Sequence, residues 1–205
     1  RIDTLAGNLE DGRMPTILQV IPALGSGGGV ERGTIEVAGA IVEAGGRALV
    51  ASVGGAQVHE VARAGGKHIE LPLGSKNPVV IYKNISRLVG LIERENVDLI
   101  HVRSRAPAWS AKWAARRAHI PFVTTYHGFY KAKGRLKRWY NSIMAQGDLV
   151  IANSDFTAAH VRAEHEIEEQ RLRVIPRGVD LDLFDPAKIN PDRIRAQRNR
   201  WGAGP

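Results

Sequence analysis

The chain has 205 residues, of which 43% are hydrophobic, so it is long enough for one well-cored domain and short for two. Its formal net charge of +8 favours anionic partners, such as nucleic acid, anionic lipid or a nucleotide-sugar. It has no cysteine, which excludes disulfides, cysteine metal sites and thiol nucleophiles.

Short apolar runs alternate along the chain with longer segments at helical spacing, a pattern typical of βαβ units and a parallel sheet. The predicted strands are Thr16–Pro22, Arg47–Ser52, His68–Leu71, Leu99–Val102, Phe122–Tyr126, Leu149–Ala152 and Arg173–Ile175. The predicted helices lie between them, at about Val30–Ala44, Val58–Ala64, Val79–Arg94, Ala106–Ala118, Leu136–Ala145 and Ser154–His165. We therefore expect an α/β fold with a doubly wound, mostly parallel Rossmann-like sheet of about seven strands.

Composition also divides the chain into three parts. Residues 1–14 have no apolar stretch like a signal peptide and are expected to be a flexible leader. Residues 15–185 are predicted to form the Rossmann-like domain. Residues 186–205 are polar and charged, and we expect a linker and the first helix of a further domain that the chain lacks.

A glycine-rich loop follows the first predicted strand, with Gly25 and Gly27–Gly29 just before a helix. Backbone N–H groups in such a loop can approach an anion closely, with the positive end of the helix behind them. The spacing is not a dinucleotide fingerprint, because the third glycine would fall on Val30 or Arg32 and no acidic residue ends the second strand. An anion-binding loop and a tight turn without a ligand both remain open.

Polar residues also follow three later strands. Arg103 and Arg105 could hold a phosphate or a carboxylate, or lie solvated at the surface. His127 could bind a sugar hydroxyl or a phosphate oxygen, or be satisfied by the backbone, and Ser154 is placed to cap a helix. The carboxyl ends of parallel strands meet at one edge of a sheet, so we expect the glycine loop, the arginines and His127 to converge on one open groove.

The segment VIPALGSGGGVER resembles the start of the family 4 glycosyltransferases of the GT-B fold, in which a strand leads into a Gly-Gly-x-x-Arg loop. This resemblance implies that Gly28, Gly29 and Arg32 lie near the donor diphosphate and the acceptor. The His-Gly pair at 127–128 is similar to a pair that approaches the donor sugar in that family, which implies a catalytic role for His127.

The most specific match is IPRGVD at residues 175–180, which resembles the Ile-Pro-Asn-Gly-Val-Asp segment at the end of the family's N-terminal domain. Arg177 stands where asparagine is usual, so the hydrogen bonding around it departs from the family pattern. We assign donor or acceptor contacts to Gly28, Gly29, Arg32, Arg103, Arg105, Ser154, Arg177 and Gly178.

The resemblance covers about residues 15–185 and implies the acceptor-binding half of a retaining, hexosyltransferase-type enzyme of bacterial lipopolysaccharide or glycan synthesis. Such an enzyme transfers a sugar from a nucleotide-sugar to an acceptor hydroxyl of a glycan or glycolipid. The nucleotide-sugar is then a substrate, and we expect no metal and no cofactor. In the family the donor diphosphate is held mainly by a C-terminal domain, so we expect this chain alone to be inactive.

Two other classes of protein remain open. A non-catalytic Rossmann-like module that binds an anion would need only the groove. A nucleotide-sugar-modifying enzyme, such as an epimerase, is less favoured because the dinucleotide pattern is broken and no Tyr-x-x-x-Lys pair occurs.

A basic segment with aromatic residues precedes the sixth predicted strand. Basic residues with interfacial aromatics suit docking on an anionic bilayer, although a solvated helix face would look the same. No nucleic-acid-binding motif accompanies the charge, so we expect no nucleic-acid partner. We expect a cytoplasmic protein, peripheral on the inner face of the cell membrane, with these docking residues: Lys131, Lys133, Arg135, Lys137, Arg138 and Trp139.

Overall fold

A computed structural model of the chain describes residues 12, 14–25, 27–131, 133–179 and 184–203. The strands are β1 Thr16–Val20, β2 Arg47–Ser52, β3 Lys67–Glu70, β4 Leu99–Val102, β5 Phe122–Tyr126, β6 Leu149–Ala152 and β7 Leu172–Val174. The helices are α1 Gly29–Glu43, α2 Val58–Arg63, α3 Pro78–Glu95, α4 Arg105–Ala118, α5 Arg135–Ser142, α6 Asp155–Glu164 and α7 Pro191–Arg200. Short 3-10 turns lie at Ile143–Ala145, Glu169–Arg171 and Pro186–Lys188.

The seven strands form one sheet in the order β3-β2-β1-β4-β5-β6-β7, and every pair is parallel. The chain winds outward from β1 to β3 and then returns to β4 on the other side of β1. This is the doubly wound order, which leaves a crevice at the carboxyl ends of β1 and β4. The predicted α/β Rossmann-like class is therefore confirmed, with a sheet that is parallel throughout its described strands.

Helices cover both faces of the sheet, so the central strands are buried on both sides and carry nearly continuous apolar runs. Ile35 and Ala38 of α1 pack with Val61 of α2 on one face. On the other face, Leu88 of α3 belongs to a larger core that contains four buried alanines of α4. These small side chains allow α4 to lie close to its neighbours.

The ends of several predicted elements differ from the structure. The first strand ends at Val20 and not at Pro22, and the third is Lys67–Glu70 and not His68–Leu71. The helix expected over Leu136–Ala145 ends at Ser142 and continues as a 3-10 turn. The last strand lies one residue earlier than expected, because Leu172 is the residue buried there and Ile175 is half-exposed. The expected leader at residues 1–14 falls largely outside the described residues, so it stays a prediction, as do the boundaries at 15 and 185.

Candidate functional site

A groove of about 360 Å³ lies at the carboxyl ends of β1, β4 and β5. It is lined by residues 21–23 after β1, 30–31 of α1, 103–105 after β4 and 127–130 after β5. The structure thus brings Arg103, Arg105 and His127 together at the crevice that the strand order creates.

The glycine loop lies next to this groove, and Val30 and Glu31, the residues that follow it, line the groove. Gly28 is the N-cap residue that precedes α1, and its extended backbone leads into Gly29, the first helical residue. A β-carbon at Gly29 would overlap Nη1 of Arg177. The guanidinium of Arg177, from the loop after β7, therefore lies directly against the backbone at the start of α1.

Arg103 is a buried cation beneath α1. Its side chain is 6% exposed, and its Nε donates a hydrogen bond to Oε1 of Gln19 at 3.1 Å. Gln19 in turn donates to the carbonyl oxygen of Thr34 at 2.9 Å. Burial, and then the charge of Arg177, lower the pKa of Arg103 to about 10, so it stays charged at neutral pH. No carboxylate among the described residues forms an ion pair with it, which leaves its charge available to an anion.

His127 is a neutral histidine beside these two arginines. Its Nδ1 lies 3.1 Å from Nη2 of Arg177, and arginine can only donate, so Nδ1 accepts and the ring hydrogen sits on Nε2. Burial lowers the pKa of His127 to about 3, and the charges of Arg103 and Arg177 contribute. Nε2 is enclosed and has no partner in the described part of the chain. Nε2 thus carries an N–H donor that no described protein group satisfies, and a neighbouring side chain must shift before an oxygen of a sugar or a phosphate can reach it.

Two residues behind the groove support this arrangement and were not singled out in the sequence. His101 lies within hydrogen-bond distance of Thr125, with 2.7 Å between Nε2 and Oγ1, and burial holds its pKa well below the usual value. Gln19 anchors Arg103, as described above. Gln19 could have been noticed, since it is the polar residue inside the apolar run TILQV of β1.

Arg105 lines the groove, but its guanidinium is engaged with protein groups. It lies 4.3 Å from the centre of the Tyr130 ring and donates to Oδ1 of Asn141 at 2.8 Å. A cation over an aromatic face is attracted to it, so Arg105 fixes the loop after β5. Tyr130 and Phe129 of that loop also line the groove, and sequence reasoning did not select them.

Three other assigned residues lie away from the groove wall. Arg32 is on the outer surface of α1, where its Nε lies 2.8 Å from a carboxylate oxygen of Glu36. Ser154 begins α6, and its Oγ accepts a hydrogen bond from the N–H of Thr157 at 3.1 Å. Gly178 is exposed, with open space around it.

The basic segment lies on a separate surface around α5. Lys131, Lys133, Arg135, Lys137 and Arg138 are exposed. Trp139 and Leu136 are exposed by 57% and 78%, and the Trp139 ring packs on Trp109 with 4.4 Å between centres. Nothing among the described helices has both the length and the apolar character needed to cross a bilayer.

The profile of Glycosyltransferase Family 4 matches residues 27–183. The crystal structure of a glycosyltransferase from Rickettsia africae ESF-5 superposes with a TM-score of 0.80 at 42% identity, covering 94% of this chain and 51% of that one. The chain thus spans about half the length of this structural relative.

Two curated relatives match shorter stretches. The D-inositol 3-phosphate glycosyltransferase of Nocardiopsis dassonvillei is 30% identical over 107 residues, which is 46% of this chain and 25% of that protein. The UDP-Gal:alpha-D-GlcNAc-diphosphoundecaprenol alpha-1,3-galactosyltransferase of Escherichia coli is 28% identical over 114 residues, or 51% of this chain and 29% of that protein. These relatives are glycosyltransferases, which disfavours the non-catalytic module and the nucleotide-sugar-modifying enzyme.

Proposed function

Since the chain belongs to Glycosyltransferase Family 4, as an N-terminal domain of the GT-B fold, we propose that it forms the acceptor-binding half of a sugar-transferring enzyme. The donor is a nucleotide-sugar, and the acceptor is a hydroxyl of a glycan or glycolipid. The names of the two curated relatives support this choice, because one contains UDP-Gal and a lipid diphosphate and the other an inositol phosphate. A second domain of the whole protein completes the donor site.

The observation that carries this proposal is the neutral His127 with its unused Nε2–H beside Arg103 and Arg177. The two guanidinium groups, together with the positive end of α1, favour a negatively charged ligand. A neutral N–H donor adjacent to them suits a polar group without charge, such as a sugar hydroxyl. This combination matches a sugar joined to a phosphate better than it matches either group alone.

During transfer, the bond between the sugar's anomeric carbon and the phosphate oxygen breaks and a bond to the acceptor oxygen forms, with retention of configuration. Negative charge then develops on the leaving diphosphate, where Arg103 stabilises it. His127 cannot take the acceptor's proton, because Nε2 already carries hydrogen and Nδ1 is occupied by Arg177. Its part is to position a sugar oxygen, and the proton passes to an oxygen of the leaving phosphate.

The decisive experiment compares His127→Ala with His59→Ala, an exposed histidine on α2, in the protein encoded by the complete gene. We expect His127→Ala to lower kcat by about 100-fold or more while the donor Kd changes little, because the lost hydrogen bond strengthens in the transition state. The assay uses UDP-sugars with inositol phosphate and polyprenyl diphosphate sugars as acceptors, and NMR reports the anomeric configuration. Unchanged kcat in His127→Ala, or an inverted product, would reject the mechanism.

The exposed basic surface around α5 supports a second part of the proposal, peripheral attachment to an anionic membrane on the cytoplasmic side. Five cations lie beside the exposed Leu136 and Trp139, and such side chains can enter the interface between headgroups and acyl chains. A lipid-linked acceptor would then lie in the same membrane to which the protein is attached. The lipid diphosphate in the name of the Escherichia coli relative agrees with this arrangement.

A further inference from the structure

We infer that Arg177 is a positioning residue. Its guanidinium lies against the backbone of Gly29, which has no side chain, and holds His127 as the tautomer with hydrogen on Nε2. The functional value of this arrangement rests on the function proposed above. The arrangement itself does not rest on that function, because it can be observed in the chain without any ligand.

The guanidinium of Arg177 lies against the backbone of Gly29. A β-carbon on Gly29 would overlap Nη1 of Arg177 and would lie 3.1 Å from its Cζ. Gly29 is a helical residue at the start of α1, so its missing side chain leaves space for the guanidinium and does not serve a left-handed backbone. The space left by the missing side chain of Gly29 thus allows the guanidinium of Arg177 to reach His127.

The hydrogen bond between Arg177 and His127 can run in only one direction. A guanidinium has five N–H donors and no acceptor, so the 3.1 Å contact between Nη2 and Nδ1 requires an unprotonated Nδ1. An imidazolium ion has no acceptor and would lose this bond. An asparagine amide can donate or accept, and so would permit either neutral tautomer. With arginine at position 177, only the His127 tautomer with hydrogen on Nε2 can accept this hydrogen bond.

This direction also fixes the role of the other ring nitrogen, Nε2 of His127. With Nδ1 fixed as the acceptor, Nε2 is a donor, and it is enclosed without a partner among the described residues. The nearby charges of Arg103 and Arg177 also oppose a second proton on the ring. Nε2 of His127 therefore keeps its hydrogen, and the ring stays neutral, across the whole physiological pH range.

The test replaces Arg177 by methionine, which keeps an unbranched side chain and removes the donors. Long-range 1H–15N spectra of the chain report the tautomer of each histidine, and His127→Gln identifies the His127 signals. In the unmodified chain we expect the tautomer with hydrogen on Nε2 alone between about pH 5 and 8. In Arg177→Met we expect both tautomers and a rise in the pKa of His127 by about one unit or more.

Three further variants separate positioning from a general structural effect. Arg173→Met removes an exposed arginine of β7 that contacts the backbone of Leu172, and it should leave the His127 signals unchanged. Arg177→Lys keeps a cationic donor and should restore the tautomer at least in part. Gly29→Ala keeps Arg177 but places a methyl group against its Nη1, so the flexible end of the side chain must shift and the His127 signals should move toward those of Arg177→Met.

The outcomes are distinct. If His127 keeps one tautomer and its pKa in Arg177→Met, Arg177 does not position it and the inference is overturned. If the tautomer changes as expected but sugar transfer by the whole protein does not, the positioning stands and the role proposed for His127 in transfer fails. If both change together, with Arg177→Lys partly restoring both, the inference and the proposed function hold.

Discussion

At the scale of single residues, burial gives Arg103 and His127 opposite charge states. Burial lowers the pKa of both side chains, Arg103 to about 10 and His127 to about 3. Neutral pH lies between these values, so the arginine keeps its charge and the histidine does not gain one. The groove therefore combines a permanent cation with a permanent neutral donor, and neither changes with small shifts in cellular pH.

The lowered pKa of His127 makes folding dependent on pH. As pH falls through 6.5 the unfolded chain binds a proton at His127, whereas the folded chain binds none until about pH 3. The free energy of unfolding should therefore fall below pH 6.5, by at most about 1.4 kcal/mol per pH unit for this residue. The pKa values of His68, His101 and His165 are also lowered and add to the effect. Urea unfolding between about pH 7.5 and 5 measures the slope.

His127→Gln should reduce this slope by the share of one proton, and the exposed His59→Gln controls for the loss of an imidazole. Glu95 and Glu169 also have a lowered pKa, but they start from 4.5 and bind protons below this window. A slope that is the same in His127→Gln as in the unmodified chain would mean that His127 is protonated in the folded state.

Residue positions in this groove were predictable from the sequence, while side-chain directions were not. Alternating strands and helices placed Gly28, Arg103 and His127 after parallel strands, so their convergence followed from topology. That Arg103 is buried depends on Gln19, a residue 84 positions earlier in the chain. Arg32 could equally have faced the groove, but Glu36 holds it on the outer surface of α1.

At the scale of elements, Ser154 provides the start of α6. Its Oγ accepts the N–H of Thr157, which has no partner within the first turn of the helix. Ser154→Ala should therefore lower the free energy of unfolding by about 1 kcal/mol, measured by chemical denaturation. Ser86→Ala, at an exposed position inside α3, is the matched control and should be neutral or slightly stabilising.

The same pair of variants separates capping from ligand binding at Ser154. Capping predicts lower stability with unchanged sugar transfer by the whole protein at a temperature where both variants are folded. Unchanged stability with reduced transfer would instead show that Ser154 contacts the donor or the acceptor.

Element ends were less predictable than the elements themselves. The apolar pattern of residues 136–145 fits a helix throughout, yet Ile143–Ala145 tightens into a 3-10 turn. The hydroxyl of Thr124 on β5 donates to the carbonyl oxygen of Met144 at 2.6 Å, so a contact with the sheet replaces helical bonding there. Such a contact joins residues 20 positions apart and leaves no trace in local periodicity.

At the scale of the whole molecule, we expect the net charge of +8 to attract anionic membranes through the basic surface around α5. Changing Lys133, Arg135, Lys137 and Arg138 to Ser should weaken binding to anionic vesicles in a sedimentation assay. Binding of the unmodified chain should also fade with salt, because the Debye length shrinks from about 10 Å at 0.1 M to about 3 Å at 1 M.

The matched control for this prediction removes four positive charges from α7, by changing Arg193, Arg195, Arg198 and Arg200 to Ser. All four lie on an exposed helix with no buried residue. If this control weakens vesicle binding as much as the α5 variant does, attraction depends on total charge and α5 is not the docking surface.

The strand before Arg177 links the site to one edge of the sheet. β7 has three residues and pairs with β6 alone among the described strands, and Arg177 follows three positions after its end. Short edge strands open locally at a lower free energy than the core of a sheet. Fraying of β7 would carry Arg177 away from Gly29 and release the imidazole of His127 while the other six strands stay paired. The groove can therefore lose its oriented donor by a local fluctuation, and an anion that binds Arg177 would slow amide exchange along β7.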